Sequence, residues 1–124
     1  MAWPKRDVKY ISVPIYDQDV YIFRTEKAFQ RAIEHLGMVG DFHLGSGGTA
    51  IQCENENTGE QVFLILITLP TMQVLVHEIA HVTFDILKHV GVSAYHDEQE
   101  PFCYLLDHIF EESWEFIHGY NPGG

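Results

Sequence analysis

The sequence predicts an α+β fold: a small, mostly antiparallel sheet packed on a long central helix and a C-terminal helix. Three observations carry this. Clusters of β-forming residues recur at 8–13, 19–23, 49–54 and 60–68, apolar residues recur at helical spacing in three other stretches, and turn residues separate the two patterns. The 124 residues are the size of one domain, and a hydrophobic content of 46% supplies a core. One domain over 1–124 is expected, with flexible ends at 1–7 and 119–124.

Val8, Tyr10, Ile11 and Val13 form the first β segment, and Val20, Tyr21, Ile22 and Phe23 the second, with turn residues from Pro14 to Asp19 between them. Thr25-Glu26 opens a helix whose apolar face is Ala28, Phe29, Ala32, Ile33 and Leu36, and Gly37 ends it. The segment Gly40 to Gly48 holds four glycines and His43. It lacks the GK[ST] ending of a phosphate loop and leads into a strand, so a flexible loop beside a cleft is expected. Thr49–Glu54 and Glu60–Thr68 read as a hairpin about Asn55–Gly59. The run Val62 to Ile67 reads as a buried strand.

Residues 71–90 contain neither Pro nor Gly and read as one helix, with Leu75, Ile79, Val82 and Ile86 facing the core and Gly91 as its stop. After a loop from Val92 to His96, Asp97 or Glu98 begins a last helix with Pro101 in its first turn. Phe102, Leu105, Leu106, Ile109, Phe110 and Trp114 give it an apolar stripe.

The long helix carries His77-Glu78-Ile79-Ala80-His81, an HExxH pentapeptide. Given the chain's His and Glu content, chance supplies about 0.04 such matches. Residues four apart on a helix differ by about 40° in azimuth, so His77 and His81 project from one face and can grip one ion. Zn²⁺ is the expected cofactor, and Glu78 is placed to act as base toward a metal-bound water. The apolar flanks predict a buried motif.

Catalytic zinc sites usually carry three protein ligands and a water. His89 lies on the order of 12 Å further along the helix axis and is out of reach. A carboxylate from the first turn of an antiparallel last helix fits better. Glu100 is the best placed, Glu98 and His96 are alternatives, and Asp97 is better suited to capping. Tyr95, His96, Tyr104 and His43 are candidate oxyanion partners, and Asp85 and Asp107 are candidate supports for the ligands.

The net charge is −11, and six basic residues, Lys5, Arg6, Lys9, Arg24, Lys27 and Arg31, precede Leu36. Such acidity disfavours nucleic-acid binding. No apolar run approaches a membrane span and no signal peptide is visible. A cytoplasmic location and free thiols at Cys53 and Cys103 are therefore expected.

The segment Val76 to Phe110, with the pentapeptide and Glu100-Pro101-Phe102-Cys103-Tyr104-Leu105-Leu106, resembles the gluzincin group of zinc metallopeptidases. It is similar to the small HExxH proteins encoded by tailed bacteriophages. The resemblance implies a minimal zincin-like domain without the second lobe of larger gluzincins. It also implies a peptide or protein substrate and, for a phage product, the bacterial host cytoplasm. The implied activity is hydrolysis of a peptide bond by zinc-activated water with Glu78 as general base. The alternative is a catalytically weak or inactive zincin-like module that binds a partner protein in phage assembly or against the host. A substrate is expected to align along the strand at 61–67 by strand addition.

Overall fold

The computed structural model describes residues 3–37, 47–92 and 99–120. Two hairpins build a four-stranded mixed sheet. Strands β1 (Val8–Val13) and β2 (Gln18–Phe23) pair antiparallel, and Asp17 takes a left-handed φ of 51° in the turn between them. Strands β3 (Gly48–Glu54) and β4 (Gln61–Ile67) also pair antiparallel. Their turn is closed by the Asn55 N–H on the Glu60 carbonyl at 2.8 Å and by the Asn57 N–H on the Asn55 side chain at 2.9 Å. The hairpins join where β2 runs parallel to β4, with Asp19 opposite Val62 and Phe23 opposite Leu66. The strand order is β1-β2-β4-β3, so β4 is interior and β3 is an edge. This overturns the expectation that a peptide could add to the strand at 61–67. Both of its sides are already hydrogen-bonded within the sheet, whereas among the described residues the edge strands β1 and β3 each pair on one side alone, and β3 is the edge next to the motif helix.

Helices cover both faces of the sheet. Helix α1 (Glu26–His35) lies on one, starting at Thr25, whose side chain accepts the Ala28 N–H at 3.2 Å. Helices α2 (Met72–Val90) and α3 (Glu100–Ile117) lie on the other. The unbroken apolar run of β4 follows from this, because a strand covered on both sides needs no polar face. Phe63, Ile65 and Ile67 pack with α2 and α3, while Val62, Leu64 and Leu66 pack with α1.

Helix α2 begins at Thr71, which caps the Val74 N–H at 3.2 Å, and ends at Gly91, whose φ of 80° suits a residue without Cβ. Leu75, Ile79, Val82 and Ile86 are fully buried against the sheet, as their spacing predicts. Each contributes roughly 1.5–3 kcal/mol by leaving water. The buried Thr83 hydroxyl donates to the Ile79 carbonyl at 2.8 Å, so its polarity carries no unpaired cost. Helix α3 begins at Glu100 with Pro101 in the first turn; Asp97 and Glu98, the starts expected from sequence, lie outside the described residues. It is tied to β1 by His108 Nε2 on the Ser12 carbonyl at 3.0 Å. Just past the end of β2, Arg24 donates to the Phe116 carbonyl at 3.3 Å and sits 4.1 Å from the Phe116 ring, tying α3 there.

Trp3 packs edge-on against Tyr21 and His35, and Asp7 pairs with Arg24 at 3.0 Å. Among the described residues no helix is long and apolar enough to cross a membrane. Cys53 is buried and Cys103 exposed, and both are free thiols.

Candidate metal centre

One side-chain cluster among the described residues has the makings of a metal site. A ligand atom from each of His77, Glu78 and His81 lies within 4.8 Å of the others. The two imidazoles approach through Nε2 at 3.3 Å, with ring planes 81° apart. That separation matches the span between two nitrogens on a tetrahedral ion, which is about 3.3 Å for metal–nitrogen bonds of about 2.05 Å. The helix delivers this bite without distortion, because the two residues stand one turn apart on one flank.

The rings are exposed, whereas the apolar flanks predicted a buried motif. The reason is azimuth. His77 lies two residues beyond Leu75, and His81 two beyond Ile79, each step turning about 200° from a residue that faces the sheet. The neighbours are apolar because they point inward, and the histidines point away from them.

Glu78 is different: it is 6% exposed and turns toward β3. There it lies over Gly48. A Cβ at position 48 would stand 2.8 Å from Glu78 Cγ, 2.8 Å from Val74 Cγ1 and 3.0 Å from Glu78 Oε2. The absence of a side chain at the start of the edge strand therefore makes the space for the carboxylate. Gly48 was missed from the sequence as a site residue, since it closes a glycine-rich stretch that reads as loop. Glycine as the first residue of a strand is a signal of close approach, but what approaches it is set by tertiary packing.

Asp85, one turn beyond His81, has its carboxyl held above the ordinary range by burial, while His81 and Lys88 pull it down. Asp107 is exposed.

The structure does not bring Glu100 into the cluster. Glu100 is exposed at the start of α3, beside a cavity of about 510 Å³ that it lines with Val13, Pro14, Tyr16 and Tyr104. Helix α3 does approach the motif helix, through Phe102 and Phe84 with ring centres 4.6 Å apart. That contact falls three residues past His81, and the first turn of α3 carries Glu100 toward the β1–β2 turn. Tyr104, also on that cavity, is 70% exposed. His43, Tyr95, His96, Asp97 and Glu98 lie outside the described residues, as do most of the glycine-rich segment and the loop before α3. His89 sits beside Phe63, its ring 6.3 Å away, and takes no part in the cluster.

No protein-family model, curated protein or solved structure matches the chain. The donor set therefore stands on its own chemistry. Two imidazole nitrogens at chelating distance could hold a metal ion.

Proposed function

We propose that the chain is a zinc-dependent hydrolase of the zincin type, resembling gluzincins, that cleaves a peptide bond. One observation carries the reading: two imidazole nitrogens 3.3 Å apart, with a buried carboxylate within 4.8 Å of them. A metal-binding motif alone needs only the imidazoles. A neighbouring carboxylate held in a buried position is what general-base chemistry requires in addition.

His77 and His81 would hold the ion through their imidazoles. When bound, zinc supplies Lewis acidity and brings the pKa of a water toward 7. Glu78 takes a proton from the attacking water and later delivers it to the leaving nitrogen. Gly48 leaves the room that the Glu78 side chain occupies beside the edge strand, where a Cβ would stand 2.8 Å from Glu78 Cγ. The free side of β3 begins at Gly48, beside that base, and offers backbone groups to an extended peptide. Phage origin and a host-cytoplasm setting accompany this reading as implications of the same resemblance.

The exposure of both histidine rings favours a second reading, in which the same centre serves a partner-binding module that cuts nothing. The variant Glu78→Gln separates the two. For the hydrolase, zinc stoichiometry by metal analysis stays at wild type while cleavage of a peptide library falls by about 10²–10⁴-fold. Unchanged cleavage would remove Glu78 as base, and absence of cleavage by the zinc-loaded wild type across the library would favour the binding module.

A further inference from the structure

A second cavity lies on the opposite side of the sheet from α2, with a charge pattern at odds with the chain as a whole. The protein carries a net charge of −11, with Lys and Arg totalling 7. Four of those seven, Lys5, Arg6, Lys27 and Arg31, line one hollow of about 370 Å³. Asp7 is the acid on its wall, and its carboxylate is taken by Arg24 at 3.0 Å. Among the described residues none of the four cations is in an ion pair. Cations gathered around a hollow repel one another, and that repulsion is relieved when an anion enters.

Two further features suit an anion. Helix α1 starts at this cavity, at Thr25, and the positive end of its dipole opens there. Trp3 forms part of the wall and is held edge-on by Tyr21, with ring centres 4.7 Å apart, and by His35 at 5.6 Å. The volume is that of a small-molecule site. The acidic remainder of the surface repels a long polyanion, which favours a compact anion over a nucleic acid.

We propose that this cavity binds a small oligoanion with the chemistry of adjacent phosphoryl groups, as in a di- or triphosphate. Lys5, Arg6, Lys27 and Arg31 supply the charge-assisted hydrogen bonds, with Arg6 and Arg31 able to engage phosphoryl oxygens in pairs. The site is independent of the metal centre and of the proposed hydrolase activity.

The test is calorimetric titration of metal-free, full-length protein with inorganic triphosphate at low salt, with tryptophan fluorescence as a second readout. One site per chain is expected. Lys27→Glu and Arg31→Glu should each weaken binding about tenfold or more with helix content unchanged by circular dichroism. His77→Ala should bind as wild type, which excludes a residual metal as the anchor. ATP binding more tightly than triphosphate identifies a nucleotide that uses Trp3, and equal binding identifies the phosphate chain alone; both support the proposal. Absence of binding at millimolar triphosphate overturns it, as does binding insensitive to both charge reversals. A short single-stranded oligonucleotide bound more tightly than triphosphate would also overturn it, in favour of nucleic acid.

Discussion

At the scale of single residues, burial decides which groups can react. Burial pushes the Cys53 thiol up to about 11, and the side chain is 4% exposed. At pH 8 only about 0.1% of it is thiolate, and a reagent must also reach it. Cys103 is exposed. A thiol reagent at pH 8 should therefore titrate one cysteine in the native protein and two after denaturation; rapid reaction of both in the native state would contradict the packing around Cys53. Because it stands outside the histidine cluster, Glu100→Gln is expected to leave zinc affinity within about twofold. A loss of about 10–100-fold, the range for a group that supports a ligand, or a larger one would bring it to the ion or its ligands after a shift of the first turn of α3. The pairing of the two histidines was legible in the sequence because it depends only on helical spacing, and Glu78 was legible as part of the same pentapeptide, though its burial over Gly48 was not. Glu100 and Gly48 were not, since each is positioned by the way α2 meets another element.

At the scale of elements, the strands and helices were legible where a period was present. Thr25, Thr71 and Gly91 act as the helix signals their types suggest, and the four β segments fall where the clusters of β-formers lie. The sequence did not disclose that β2 pairs with β4 in parallel, because pairing across a crossover depends on which faces the helices cover. That pairing changes the functional reading, as it makes β3 the edge beside the motif. The β3–α2 contact is tight at Gly48, where an added methyl would meet Glu78 Cγ and Val74 Cγ1 at 2.8 Å. Gly48→Ala is thus expected to cost about 1–3 kcal/mol in a denaturant melt and to displace Glu78. If Glu78 is the base, peptide cleavage should fall while zinc stoichiometry holds. A variant with wild-type stability and activity would mean the strand yields easily and that Gly48 has no part in positioning Glu78.

At the scale of the whole molecule, the candidate metal-binding histidines and the hydrophobic core are built on the same helix but on opposite sides of it. Leu75, Ile79, Val82 and Ile86 bind α2 to the sheet through contacts that involve neither histidine, so a fold that holds without an ion is expected. The cluster nevertheless exists only when α2 is formed, because an unfolded chain does not keep His77 and His81 one turn apart. Zinc should therefore bind the folded state preferentially and raise stability by mass action. At zinc concentrations about 100-fold above Kd the gain is about 2.7 kcal/mol. For a chain of this size that corresponds to a rise in Tm of about 10 °C. His77→Ala and His81→Ala should melt near the wild-type metal-free temperature and show little of the rise, since a single imidazole is a poor zinc ligand. On the hydrolase reading Glu78→Gln should retain it, because there Glu78 serves as base and the two histidines hold the ion. A cooperative melt without zinc, followed by a zinc-dependent shift that both histidine variants lose, is the pattern expected of a preformed chelate on an already stable helix. A metal-free chain that fails to fold would show that zinc is structural, and an undiminished shift in the histidine variants would place the ion elsewhere on the acidic surface.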